Sequence, residues 1–354
     1  MLKIFTSFQE NPLHPRLEMQ LNWFHSNGIQ TKVYFDKSEK VSFLVNFYNR
    51  LLLKFFRLDL IRKYKRELDD CSIVHIYDFR LLPLAKHAKK AGKKVVYETL
   101  DDNVYLTYYT LEKKSIIFRW LKPLLVGWVS RKEQQWINNY CDEVIVNSPN
   151  LLKLSSKATL IYYSSPFEDV ELSPYNPNAP YAFVYLGKLT VSKGAKYYEE
   201  LVKEFNLPLH FYGQAKDDYS RDWLKRSDKV IEYGNLGSED LKKALMKLSL
   251  QFNLIGLSII IPENESYALQ EANKDIDYMC LKIPFLGNER KPTYEKISAG
   301  AGVLYSDVRS INQLITNSEN AYTRVQSIQQ DLYARIYSKD NFYFLLEKAY
   351  DKLK

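Results

Sequence analysis

With 354 residues, the chain is long enough for two domains or one large one. Its composition, 46% hydrophobic and 26% charged, is ordinary for a globular protein and excludes a disordered, collagen-like or small disulfide-stapled chain. The formal charge of +8 bears on partners rather than fold, admitting nucleic acid, an anionic membrane or a phosphorylated substrate.

Short apolar runs alternate with segments of helical period. Leu2–Phe5 opens the chain as a strand. A helix around Arg16–Ser26 follows, ending at Asn27-Gly28, and Lys32–Phe35 is the next strand. Ile73–Ile76, Lys94–Tyr97 and Glu143–Val146 are three more, and Gly28 and Gly92 stand where helix C-caps are expected. Asp78 ends a strand and is either a site carboxylate or, the favoured reading, the N-cap of a helix containing Leu84–Ala91. Between Tyr163 and Tyr181 the pattern stops; four prolines and little periodicity mark a linker. Alternation resumes with Ala182–Leu186, Leu209–Tyr212, Val230–Glu232, Gln251–Leu254, Ile283–Leu286 and Val303–Tyr305. Strands alternating with helices imply parallel sheets covered by helices, here two consecutive doubly wound α/β domains. The expected division is 1–165, 166–335 and a last helix, 336–354, crossing back to the first domain.

The positive charge is not evenly spread. Residues 1–165 hold 26 Lys/Arg against 16 Asp/Glu, whereas 166–354 hold 24 against 26, so the excess belongs to the first half. Two stretches there mix cations with large apolar residues: Asn49–Leu68, and Lys113–Lys132, which contains Arg119, Trp120, Lys122 and Trp128. Such segments suit either an anionic membrane surface or ordinary packing with solvated lysines. No nucleic-acid motif accompanies them, so nucleic acid is not expected as a partner. Three cysteines without paired spacing suit a reducing cytosol, five scattered histidines offer no zinc spacing, and the opening residues lack the apolar core expected of a secretory leader. The expectation is a cytoplasmic protein, free or peripheral on the inner membrane face.

The most specific segment is FVYLGKLTVSKG, Phe183–Gly194. A strand ends at Gly187, Lys188 follows, and Lys193-Gly194 precedes a helix. Ligands of open α/β sheets bind at strand carboxyl ends, where helix N-termini favour anions. Two lysines flanking this turn are either solvated surface residues or a grip on a diphosphate. Ala182 stands where a Walker loop needs its first glycine.

Here the sequence resembles the GT-B glycosyltransferases, in particular family 4. Phe183–Gly194 is similar to the family's phosphate-binding strand, with Lys188 at its arginine position. CDEVIVNSPNL (Cys141–Leu151), LHFYG (Leu209–Gly213), IEYGNLGSEDLKKAL (Ile231–Leu245) and NKDIDYMCLKIPFLGN (Asn273–Asn288) resemble further family segments in the same order, from about Arg16 to Leu345. The resemblance implies two Rossmann-like domains facing a cleft, the second holding a nucleotide-diphosphate sugar. Lys188, Lys193, Lys274, Asn273 and Gly187 would then hold the donor phosphates, with Asp277, Asn235, Leu236 and Gly213 at ribose and base. Leu269 occupies a position where the family has a sugar-binding glutamate, and Glu271 is the nearest acid. Asp275-Ile276-Asp277 spells a D-x-D, but on a helix i and i+2 face different sides, so no metal is expected.

VVYETLDDN (Val95–Asn103) is similar to the family's acceptor-side loop, with Leu100 at its histidine position. Glu98, Asp101 and Asp102 are the candidate catalytic carboxylates, Asp101-Asp102 reading equally as a turn or helix cap. The implied activity is hexosyl transfer from a nucleotide-diphosphate sugar to a glycan or lipid-linked glycan, retaining and metal-independent, without a cofactor, in bacterial-type surface polysaccharide assembly. The runners-up are a non-catalytic GT-B partner subunit and a sugar-nucleotide epimerase of the same fold.

Overall fold

A computed structural model describes residues 1–6, 10, 13–35, 57–104, 116–262, 268–316 and 318–354, excepting the side chains of 58, 59, 116–122 and 318. The chain divides into two units: Met1–Tyr162 with Phe342–Lys354, and Tyr163–Asn341.

The first unit is built on a six-stranded parallel sheet of order β2-β1-β3-β4-β5-β6. Its strands are β1 (Leu2–Phe5), β2 (Thr31–Tyr34), β3 (Ile73–Tyr77), β4 (Lys94–Thr99), β5 (Glu143–Val146) and β6 (Ala158–Leu160). The inner strands are apolar on both sides because both faces are covered. Val74, Ile76, Val95, Tyr97, Val144 and Val146 pack on one face. Leu2, Ile4, Tyr77, Val96 and Ile145 pack on the other, against Trp23 and Phe24 of α1 (Pro15–Ser26) and Phe342, Leu346 and Tyr350 of the C-terminal segment. This two-sided burial is why near-continuous valine and isoleucine runs mark parallel strands. The short edge strand β6, ATL, was not among the expected strands; three residues give too little periodicity to register.

The second unit repeats the plan with order β12-β11-β10-β7-β8-β9. The strands are β7 (Tyr181–Leu189), β8 (Leu209–Ala215), β9 (Val230–Gly234), β10 (Asn253–Ser258), β11 (Phe285–Gly287) and β12 (Val303–Leu304). Strand β10 starts two residues later than the sequence suggests and runs on through Gly256 to Ser258, all of it buried. The glycine is required there. A Cβ at Gly256 would lie 2.7 Å from the Tyr278 ring, whose hydroxyl donates across the sheet to the Val184 carbonyl at 3.0 Å. Order reverses between β7 and β10, and ligands of such sheets bind outside the carboxyl ends of the strands at that point.

Candidate active site

The carboxyl end of β7 is shaped by two glycines. Gly187 has φ +107°, and a Cβ on the neighbouring Gly213 would sit 1.9 Å from the Gly187 carbonyl oxygen. The two strands therefore pinch together where no side chain fits. Lys188 is exposed beside this pinch. The chain then turns at Thr190, whose hydroxyl oxygen accepts the Lys193 N–H at 3.2 Å, while the Val191 N–H donates to Asp217 at 2.7 Å. Gly194, at φ +89°, admits the close approach of Tyr198 and the Ile259 carbonyl, and α5 (Ala195–Phe205) starts with no side-chain cap on its N–H groups. Lys193 is half-buried. Burial, with the charge of Lys188, lowers its pKa.

Helix α8 (Asn273–Cys280) also begins without a side-chain cap, Asn273 exposed at its start. The Lys274 ammonium stands 3.7 Å from the centroid of the Tyr185 ring, shielded from water and without a hydrogen-bond partner among the described residues. Burial drives its pKa well below the ordinary lysine value, and the charge of Lys193 pushes the same way. One turn on, Asp277 accepts hydrogen bonds from Ser165 Oγ at 2.8 Å and Tyr163 OH at 3.2 Å. Burial nevertheless raises it to about 7. Asp275 points elsewhere, accepting from Ser258 and from Thr293 at 2.8 Å, with Lys296 Nζ at 3.8 Å. The two aspartates of the D-x-D thus serve separate networks.

Glu271 is paired with Lys296 at 2.6 Å, both nearly buried, so its carboxylate is engaged by the protein itself. Asn235 and Leu236 are exposed between β9 and α7 (Ser238–Ser249). Beside them is a feature the sequence did not single out. Tyr212 and Tyr233 stack at 4.5 Å and 9°, and Tyr233 OH meets His210 Nδ1 at 2.9 Å. The alternation of His210 and Tyr212 along β8 was the available signal; their meeting Tyr233 depended on strand pairing.

In the first unit, Glu98 ends up deep inside. Its carboxylate takes Arg16 Nε, Gln20 Nε2 at 2.9 Å and His75 Nε2 at 3.0 Å, and His75 Nδ1 meets Tyr350 OH at 2.7 Å. Burial alone would raise this carboxyl, but the Arg16 guanidinium and His75 outweigh it and hold it at about 2. A fully buried, fully paired glutamate is a structural anchor by its geometry. Asp101 is exposed, whereas Asp102 is buried, accepting the Val104 N–H at 3.1 Å with Lys153 Nζ at 3.4 Å. Asp78 corrects an expectation. At φ +83° it accepts the Arg80 N–H and caps the turn Phe79–Leu81, not the helix α3 (Leu84–Lys90), because that turn intervenes. Trp128 lies on α4 (Ile116–Tyr140), half-buried against the first-unit core. The side chains of Arg119, Trp120 and Lys122 lie outside the described residues. Among the described residues no helix is long and apolar enough to cross a membrane.

Two six-stranded parallel sheets in successive units, each with a switch point, match known structures over the whole chain. The fold is GT-B. HepE of Anabaena, solved with UDP and glucose, superposes with a TM-score of 0.68 at 12% identity, covering 99% of each chain. The lipopolysaccharide outer core galactosyltransferase WaaB gives 0.60 at 16%, over 98% of this chain and 99% of that one. A trehalose-6-phosphate protein of E. coli bound with UDP-2-fluoro glucose gives 0.62 at 11%, over 100% and 99%. No family model and no curated protein matches the sequence. At such identities it is the GT-B architecture, not the substrate, that is shared.

Proposed function

We propose that this GT-B chain is a glycosyltransferase that moves a hexosyl group from a nucleoside-diphosphate sugar to a glycan or lipid-linked glycan hydroxyl. The observation that carries it is the Lys274 ammonium of the second unit, buried near Lys193 with no hydrogen-bond partner among the described residues. A desolvated cation with nothing to pair is costly unless an anion arrives. A diphosphate supplies that anion, and GT-B structures that hold UDP support the reading. Lys188, Lys193 and Lys274 then neutralise charge on the leaving diphosphate, which grows as the glycosidic bond breaks. The uncapped N-termini at Ala195 and Asn273 add N–H donors. Asp277 takes the ribose hydroxyls in exchange for Tyr163 and Ser165. Base contacts fall to Asn235, Leu236 and the backbone at Gly213, with the Tyr212–Tyr233 stack alongside.

On the acceptor side, Asp101 is the accessible carboxylate of the loop after β4. We assign retention, in which the leaving phosphate itself takes the acceptor proton, so that no strong base is required; inversion makes Asp101 the base. A role in surface polysaccharide assembly, on the inner membrane face, fits the basic first unit. A second reading keeps donor binding and drops turnover. It is favoured by Leu100 and Leu269, and by the engagement of Glu271 with Lys296.

A thermal-shift panel of UDP, GDP, ADP and their sugars identifies the donor, because stabilisation follows the ratio of ligand concentration to Kd. Lys193→Ala is expected to lose transfer and nucleotide stabilisation while keeping the wild-type circular dichroism. Near-normal turnover by that variant overturns the assignment. Nucleotide binding without transfer or donor hydrolysis selects the second reading.

A further inference from the structure

Helix α4 packs along the first unit through Val129, Glu133 and Ile137, an i, i+4, i+8 row in which the central member is a carboxylic acid. Glu133 is 1% exposed. Its Oε1 accepts two hydrogen bonds, from Asn103 Nδ2 at 2.8 Å and Tyr97 OH at 2.9 Å, while Oε2 is buried with no hydrogen-bond partner among the described residues. Through Asn103 the contact extends along the loop after β4. Asn103 Nδ2 also reaches Thr99 Oγ1 at 3.1 Å, Thr99 Oγ1 donates to the Asp101 carbonyl at 2.9 Å, and Asp102 follows in the chain. One buried carboxyl thereby organises the loop that carries Asp101 and Asp102.

We propose that Glu133 is a positioning residue for acceptor transfer, fixing the Thr99–Asn103 loop through Asn103 and Tyr97. It does so as the neutral acid. The groups facing it are the carboxylates of Asp102 and Asp78, themselves bridged to Lys153 and Arg80, so ionising Glu133 adds a third negative charge in a dry site. Burial, helped by those two carboxylates, holds its carboxyl at about 7 against the hydrogen bonds from Asn103 and Tyr97. A proton on Oε2 leaves Oε1 free to accept both bonds; losing it strands a buried charge, and the loop is then expected to shift. Nothing in this role requires substrate to touch Glu133.

The proposal rests on the glycosyltransferase reading for its effect on transfer, and on stability for an independent readout. With the full chain, acceptor kcat/KM is measured from about pH 6 to pH 9 for wild type, E133Q and E133A, beside UDP affinity. The wild type is expected to lose transfer as pH rises through about 7. E133A should lose about tenfold at the acid end with UDP affinity unchanged, since two hydrogen bonds are lost. The neutral isostere E133Q should restore most of that loss and flatten the alkaline limb. An E133Q profile that keeps the wild-type limb, or an E133A loss that follows UDP affinity, overturns the proposal. If the wild type transfers to no acceptor, the glycosyltransferase reading fails instead. The urea midpoint then decides for Glu133: wild type should fall relative to E133Q between about pH 4.5 and 7. Parallel midpoints across that window overturn the proposal on their own.

Discussion

Replacing Lys274 with methionine tests the donor site where its energetics are least ordinary. In the folded protein the ammonium is shielded and makes no hydrogen bond to the described residues. Desolvating a cation costs several kcal/mol, and the Tyr185 ring beneath it returns only about 2 kcal/mol. Methionine has a comparable length and packs well on an aromatic face. The unliganded K274M protein is therefore expected to be more stable than wild type by about 1–3 kcal/mol, the cost of an unsatisfied buried group. The pH dependence has a defined sign. Because burial lowers the folded-state pKa below the ordinary 10.5, the unfolded chain binds more protons between the two values. Wild-type stability should climb with pH across that window, and the climb should vanish in K274M. Nucleotide binding moves the other way. Losing one charge-assisted contact of about 1.5–3 kcal/mol weakens UDP by about 10- to 150-fold. Urea unfolding at about pH 7 and pH 9 at constant ionic strength, with calorimetry of UDP binding, reads both effects. A K274M protein that is less stable when unliganded, or that binds UDP as tightly as wild type, refutes the reasoning.

Gly213→Ala should destabilise by about 3 kcal/mol or more, since its Cβ would fall 1.9 Å from the Gly187 carbonyl oxygen; a melting temperature within a degree or two of wild type would contradict the pinch between β7 and β8. Glu98 has a folded-state pKa of about 2 against an ordinary 4.5, so its contribution is present above about pH 4.5 and is lost as pH falls towards 2. The loss is about 3 kcal/mol at 1.36 kcal/mol per unit. E98Q should lack this acid limb and, by stranding Arg16, cost about 3–5 kcal/mol at neutral pH; an unchanged acid denaturation profile would show that Arg16 and His75 do not hold the carboxylate.

Much of this was legible from side-chain chemistry taken a few residues at a time. Valine and isoleucine runs marked the parallel strands because strands buried on both faces cannot alternate with polar residues. Gly187, Lys188, Lys193 and Gly194 stood out because a strand end, cations and a helix start fall within eight residues. What stayed hidden was set by partners distant in sequence. Glu98 looks like a loop carboxylate until Arg16, His75 and Tyr350 close around it. Glu271 looks free until Lys296 reaches it from the helix Lys291–Ser298.

The sequence by itself determined the architecture, since hydrophobic periodicity and glycine placement are local properties that survive at any chain separation. It also determined which residue types stand at the carboxyl end of β7. Only the tertiary structure decided which ionisable groups are solvated, paired or stranded. That difference has a physical cause: the free energy of a charge depends on what surrounds it within a few ångströms, and residues from four or more segments supply those surroundings. Lys274, Asp277 and Glu133 are ordinary letters in the chain, and packing alone makes their charged forms costly.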